Sequence, residues 1–151
     1  MGIIAGMDAS SGESGDVSTT LADWFATPLG RYLLAREQAW FDRTVADIFG
    51  FQAIQIGLPM CSFLAQSRIA AHWTVDPEPP AQILADPHWL PFPENALDLI
   101  VLPHALEFTS DPHQLLREAY RAMRAEGQIV ISGFNPFSLF GAQRYFGRGQ
   151  T

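Results

Sequence analysis

The chain has 151 residues, of which 48% are hydrophobic and 17% are charged, so it is predicted to be globular and not disordered. Its net charge is −7 and all nine basic residues are arginine, which argues against nucleic acid or anionic membrane as partners. A single cysteine suits a reducing cytosol, and no apolar run reaches the roughly 18–20 residues of a membrane span. We therefore expect a cytoplasmic protein, of an oligomeric state that the composition leaves open.

The first fifty residues divide into two parts. Residues 1–20 are rich in Gly, Ser, Asp and Thr and are predicted to form a flexible tail, with Met1 and Met7 both open as the start. Residues 21–50 are predicted to be a helical segment, in which Thr27 is the cap, Pro28 the first helical residue and Gly50 the stop. Its apolar face is predicted to hold Leu33, Trp40, Phe41, Val45, Ile48 and Phe49.

The remaining residues alternate between predicted strands and helices. Short apolar runs predict strands at 53–56, 70–75, 81–85, 97–102 and 128–132. Helices are predicted at 60–67, at 111–127 and from Asn135 onward, the second capped by Asp111 and ended by Gly127. This alternation predicts an α/β fold with a mainly parallel sheet.

In such a sheet, ligands bind beyond the carboxyl ends of the strands. The residues at these predicted ends are Gly57, Asp76, Asp86, Pro103 with His104, and 133–135. We expect a ligand site along this edge.

The segment "ILADPHWLPFPENALDLIVLPHALEFTSDPHQLLREAYRAMRAEGQIVISGFNP" resembles the class I S-adenosyl-L-methionine-dependent methyltransferases. An acidic residue, then "LPFP", then a strand that opens with Asp are similar to the small-molecule branch of this family. "AEGQ" stands where the family has a Pro-Gly-Gly turn. The opening "WFATPLGRYLLARE" and the later "ISGFNP" resemble a bacterial subgroup of the same family. The resemblance implies a Rossmann-like domain that binds S-adenosyl-L-methionine and methylates a small molecule.

The family's roles can be carried over by position. Gly57 matches the first glycine of the cofactor loop, and Asp76 matches the acidic residue that accepts from the ribose hydroxyls, about 20 residues further on. Asp86 matches the acidic residue that accepts from the adenine amino group. Pro103 and His104 follow the fourth strand, where the activated methyl faces its acceptor. His104 is the candidate general base, although a structural histidine is the favoured interpretation.

Two local departures concern the cofactor. The loop after Gly57 is "LPMCSF", in which Pro59 lacks an N–H and the side chains keep the backbone from a close approach. The residue after Asp86 is Pro87, so His88 would have to supply the backbone N–H that family members donate to the adenine ring.

A third departure concerns the end of the chain. The family normally continues through two more strands, so we expect residues 51–151 to be an incomplete methyltransferase domain, with C-terminal strands missing.

Two other functions remain open from the sequence. A non-catalytic pseudo-methyltransferase that binds a protein or another ligand is favoured by the loop and by Pro87. A nucleotide-dependent oxidoreductase is less favoured because G-x-G-x-x-G is absent. The four histidines and Cys61 lack ligand spacing, so no metal site is predicted.

Overall fold

The computed structural model describes residues 23–133. One helix precedes the first four strands in the chain, and a second helix lies between the fourth and fifth strands. They are α1 (Pro28–Val45), β1 (Gln52–Ile56), β2 (Ala71–Asp76), β3 (Ile83–Leu84), β4 (Leu97–Pro103), α2 (Pro112–Ala122) and β5 (Met123–Ser132). The predicted tail at 1–20 and the predicted helix from Asn135 lie outside the described residues.

The five strands form one sheet in the order β3-β2-β1-β4-β5, and all four neighbouring pairs are parallel. This confirms the predicted α/β fold with a parallel sheet. The chain moves outward from β1 to β2 and β3, and then returns to place β4 on the other side of β1. The strand order therefore reverses between β1 and β4, which is where open parallel sheets bind ligands.

The core lies on the central strands. β4 is buried along nearly its whole length and β1 is buried from Ala53 onward, as expected for strands covered on both faces. Apolar residues of α2 pack into the same cluster. The core cluster comprises Ile54, Ile56, Val75, Leu90, Leu97, Ile100, Leu102, Leu115, Ala119, Ala122, Met123, Ile129 and Ile131.

The chain divides into two compact units, Met1–Phe41 and Asp42–Thr151. In the described part of the first unit, α1 starts as predicted, because the Thr27 hydroxyl accepts a 3.1 Å hydrogen bond from the Gly30 N–H. A side chain at Gly30 would lie 2.2 Å from the Trp24 carbonyl oxygen, so this turn needs glycine. The predicted domain boundaries at 20 and 50 stay predictions.

The end of α1 differs from the prediction. The helix ends at Val45 and not at Gly50, and Phe49, predicted on the buried face, is 70% exposed. A side chain at Gly50 would lie 2.3 Å from the Asp98 Cβ atom. The Asp98 carboxylate accepts from the N–H groups of Phe51 and Gln52. Gly50 therefore allows the close approach that starts β1, and does not end the helix.

The predicted helix at 60–67 was wrong, and the predicted helix at 111–127 was wrong at its end. Residues 60–67 form a series of turns, with hydrogen bonds from Cys61 N–H to Leu58 O and from Ser67 N–H to Leu64 O. α2 starts at Pro112 with Asp111 as its cap, as predicted, but it ends at Ala122. Met123 is already extended and pairs with Leu97 of β4, so strand pairing replaces the last helical turn. Gly127 lies inside β5.

Candidate functional site at the carboxyl edge of the sheet

The predicted site residues that the structure describes lie along one edge of the sheet. Gly57 follows β1, Asp76 ends β2, Asp86 comes soon after β3, and Pro103 ends β4. Hydrogen bonds connect neighbouring strand ends, from Gly57 N–H to Val75 O at 3.2 Å and from Ala85 N–H to Asp76 O at 3.1 Å. The sequence therefore located the edge and the order of the residues on it.

Gly57 and Pro103 flank the point where the strand order reverses. Gly57 has a φ of +92°, which favours glycine over residues with a side chain. A Cβ atom there would lie 3.7 Å from the Pro103 carbonyl oxygen and 3.9 Å from the Ala105 Cβ. These are ordinary contacts, so the conformation and not a lack of space calls for glycine.

The loop after Gly57 is held by the side chain of Gln55, which is fully buried in β1. Its Nε2 donates to the carbonyl oxygens of Gly57 and Leu58 at 3.0 Å and of Cys61 at 3.1 Å. Its Oε1 accepts from the Phe63 N–H at 2.9 Å. One amide thus ties both ends of the loop to the sheet. Three carbonyl oxygens of the loop are directed toward Gln55. The loop is thereby fixed, although it lacks the further glycines that family members have here.

Asp76 supplies a half-buried carboxylate at the end of β2. Its Oδ2 accepts from the Glu78 N–H at 3.1 Å. Burial raises the pKa of the Asp76 carboxyl above its ordinary value, against the opposing effect of that hydrogen bond. Asp76 can act as a hydrogen-bond acceptor for hydroxyl groups at this edge once it is ionised.

Asp86 is more exposed and is paired with His88. Its Oδ1 accepts from the His88 N–H at 2.9 Å and lies 2.7 Å from the His88 Nδ1 atom. These bonds lower the pKa of the Asp86 carboxyl, with the backbone N–H of His88 as the largest cause. The N–H that the sequence analysis assigned to the adenine ring therefore already has an acceptor, and it would have to leave Asp86 to bind a ligand.

His88 also contacts the loop that precedes α2. Its Nε2 lies 2.5 Å from the Thr109 hydroxyl oxygen, and the Gln114 side chain donates to the His88 carbonyl oxygen at 3.0 Å. The Asp111 N–H donates to the same Thr109 oxygen at 3.2 Å. The segment after β3 is thereby joined to the start of α2.

A charged pair on α2 holds the "LPF" residues. Glu118 is buried and accepts from the Leu90 N–H at 2.6 Å. Arg121 donates to the carbonyl oxygens of Leu90 and Phe92, at 3.2 and 2.8 Å, and to both oxygens of Glu118. The hydrogen bond with Arg121 is the main reason why the pKa of Glu118 is lowered.

His104 occupies a constrained position beyond β4. It is 2% exposed, has a φ of +59°, and its N–H donates to the Ser132 carbonyl oxygen at 3.0 Å. Its Nδ1 lies 2.9 Å from the Glu107 Oε1. The ring thus has little exposed surface and a carboxylate partner, and its role as a base or as a structural histidine stays a prediction.

Sequence patterns did not point to four residues that hold this edge, Gln55, Glu118, Arg121 and Thr109. Gln55 had a signal, because it is the one polar residue inside the apolar run "AIQIGL".

Within residues 23–133, no three His, Cys, Asp or Glu side chains are grouped to hold a metal ion. No helix in that range is long and apolar enough to cross a membrane.

A family model described as a methyltransferase domain matches residues 39–131. The chain belongs to this methyltransferase family. The match covers β1 to β4, α2 and nearly all of β5, which is the part of the chain that forms the sheet and its carboxyl edge.

Comparisons with individual proteins agree with this family. The uncharacterized protein YafS of Escherichia coli K12 is 35% identical over an alignment of 132 residues, and the match covers 80% of this chain and 51% of YafS. The chain thus spans about half the length of this relative.

Two solved methyltransferase structures share the fold. One is provisionally named as an S-adenosyl-L-methionine-dependent methyltransferase of Methanococcus maripaludis. It superposes with a TM-score of 0.60 at 17% identity, over 89% of this chain and 74% of that one. A SAM-dependent methyltransferase of Thermotoga maritima gives a TM-score of 0.57 at 17% identity, over 83% and 67%. The methyltransferase domain thus has the Rossmann-like fold of class I methyltransferases.

Proposed function

We propose that the domain binds S-adenosyl-L-methionine at the carboxyl edge of its sheet and transfers the methyl group to a small-molecule acceptor. The observation that carries the proposal is the alignment of Asp86, Asp76, Gly57 and Pro103 along this edge, next to the point where the strand order reverses. Family membership supports the cofactor. The small-molecule acceptor rests on the resemblance of the "LPFP" segment to one branch of the family.

The residues on this edge fit the adenosine half of the cofactor. In the proposal, Asp86 accepts from the adenine amino group, and among the described residues its Oδ2 has no hydrogen-bond partner. Asp76 accepts from the ribose hydroxyls, since it is half-buried beside Gly57. The ionised aspartate is the better acceptor for this role, because both oxygens of a carboxylate accept, whereas a carboxylic acid gives one of them to an O–H donor.

The loop after β1 would contact the methionine half of the cofactor. Gly57 provides the positive φ of this turn, but its N–H donates to Val75 and its carbonyl oxygen accepts from Gln55. Pro59 has no N–H to offer. We therefore expect weaker cofactor binding than in relatives with a full glycine loop, and a non-catalytic binding domain is the alternative that this loop favours.

When bound, the cofactor supplies an activated methyl group on its sulfonium. The chain's own contribution would be to hold the acceptor in line with that methyl group and to exclude water. Pro103 and His104 lie where the acceptor would approach. In the proposal His104 orients this corner through Glu107 and Ser132, and does not take the acceptor's proton.

Calorimetry with S-adenosylhomocysteine on the whole chain tests the proposal. Asp86→Ala is expected to weaken binding by about 1–3 kcal/mol, the scale for a buried partner left without its hydrogen bond. Asp47→Ala, an exposed aspartate in the turn after α1, is the matched control and should bind as the parent does. No binding by the folded parent chain would support the non-catalytic alternative, and equal binding by folded Asp86→Ala would remove Asp86 from the site.

A further inference from the structure

His88 is fixed at four of its atoms, which is unusual for a residue in a short connecting segment. Its N–H and Nδ1 contact Asp86, its Nε2 contacts Thr109, and its carbonyl oxygen accepts from Gln114. The His88 side chain is 20% exposed, whereas the Asp86 side chain is 56% exposed. The Asp86 carboxylate is thus the more accessible of the two groups.

The protons in this arrangement can be assigned from the partners. The lowered pKa of Asp86 keeps it ionised, and a carboxylate only accepts, so the proton between the two side chains must sit on the His88 Nδ1. In the neutral ring Nε2 is then an acceptor, and the Thr109 hydroxyl must donate to it. The Thr109 oxygen in turn accepts from the Asp111 N–H. Every donor in this series of hydrogen bonds, from Asp111 to Asp86, therefore has an acceptor.

Both contacts with His88 use the same oxygen of Asp86. Oδ1 accepts from the backbone N–H and from Nδ1, and among the described residues Oδ2 has no hydrogen-bond partner. His88 therefore occupies Oδ1, and Oδ2 of this exposed side chain is left to accept from a ligand. Such an oxygen accepts from an amine and repels a carbonyl oxygen.

We propose that His88 is the positioning residue that holds Asp86 so that its Oδ2 selects ligands with an exocyclic amine over ligands with a carbonyl at the same place. This rests on the proposed function and extends it to base selectivity. Adenosyl ligands carry the amine, whereas their deaminated inosyl counterparts carry a carbonyl oxygen. Thr109 contributes by fixing the far side of the imidazole ring.

Two amide variants separate the contacts of the ring. In His88→Asn the amide can stand where Nδ1 stands and still donate to Asp86, but it cannot reach Thr109. In His88→Gln the longer amide can reach Thr109 in place of Nε2, but it no longer donates to Asp86. His88→Ala removes both contacts.

The measurement is the ratio of the affinities for S-adenosylhomocysteine and S-inosylhomocysteine, by calorimetry on the whole chain. We expect the parent to prefer the adenosyl ligand, and this preference to fall by about tenfold in His88→Ala and His88→Gln. His88→Asn should keep most of it. A merely structural role would lower both affinities together in all three variants and leave the ratio unchanged.

The outcomes distinguish the two proposals. If the parent binds neither ligand, the proposed function fails, and this inference with it. If the parent binds but the Asn and Gln variants keep the same ratio, only this inference fails. A measurement without ligand adds an independent check, because nitrogen NMR shifts report which ring nitrogen of His88 carries the proton in the neutral form, and we expect it on Nδ1. A proton on Nε2 in the neutral ring would overturn the inference.

Discussion

The side chain of Gln55 accepts a 2.9 Å hydrogen bond from the Phe63 N–H, although the two residues are eight positions apart and a loop lies between them. The same side chain donates to three carbonyl oxygens of that loop. An isolated loop of this length would be free to change shape. Here a single buried amide determines its shape, which makes Gln55 the residue on which the loop after β1 depends.

We expect Gln55→Leu to lower the free energy of unfolding by about 1–3 kcal/mol, because it leaves buried backbone groups without partners. Urea denaturation measures this loss, and hydrogen exchange should show that the Phe63 amide loses its protection. The same substitution at Gln52, half-exposed at the start of β1, is the matched control. If Gln55→Leu unfolds like the control and Phe63 stays protected, the loop does not depend on this amide.

The Glu118 carboxylate should make the stability sensitive to acid. Its pKa is lowered in the folded chain, chiefly by Arg121, so it contributes stability above the ordinary glutamate pKa that is lost as the pH falls through the lowered value. We expect Glu118→Gln to cost about 1–3 kcal/mol at neutral pH and much less in acid. Unfolding curves over a pH series measure the difference.

Glu126→Gln serves as the control for that series, since Glu126 is exposed on β5. Its stability should follow that of the parent at every pH. A Glu118→Gln deficit that stays constant into acid would show that shape, and not charge, holds Leu90 to α2.

Asp76 should affect stability and ligand binding in opposite directions. Burial raises its pKa, so its ionised form destabilises the fold at neutral pH, and this penalty disappears as the pH falls below the ordinary aspartate range. Asp76→Asn, which can still accept from Glu78, should therefore melt higher than the parent at neutral pH. It should also bind S-adenosylhomocysteine more weakly and with less dependence on pH. Melting curves and calorimetry together test both signs, and a variant that melts lower would contradict the first.

Gly57→Ala tests the conformation of the turn after β1. The added methyl group has space, but a φ of +92° is strained for alanine, so we expect a loss of about 1–2 kcal/mol in the free energy of unfolding. Gly57→Asn should cost less, because asparagine adopts positive φ more readily. Equal stability of the alanine variant and the parent would mean that the turn relaxes to an ordinary conformation.

The sequence predicted the strands and the edge of the site because both depend on local patterns. Continuous apolar runs identified β1 and β4, and turn residues after each run placed Gly57, Asp76 and Asp86 at strand ends. The start of α2 was also predictable, since Asp111 and Pro112 form a local cap signal. These features need no knowledge of distant residues.

The contacts that hold the site could not be predicted in the same way. His88 meets Thr109 across 21 positions of the chain, and Glu118 meets Leu90 across 28. Glu118 and Arg121 are spaced like any solvated pair on a helix surface, so the sequence gives no sign that they bind the backbone of "LPF". The end of α2 was predicted too late because pairing between Met123 and Leu97 overrides local helix propensity.

β3 consists of two residues and pairs with one neighbour, β2, at the edge of the sheet. Two pairs of residues in the ladder leave little to keep the segment closed by itself, and edge segments with few buried contacts open before the rest of a domain. The segment after β3 is then held closed mainly by α2. Gln114 bonds to His88, and Glu118 and Arg121 bond to Leu90. Local opening of the domain should start on the side proposed for the adenine, and a nucleoside bound there would slow this opening.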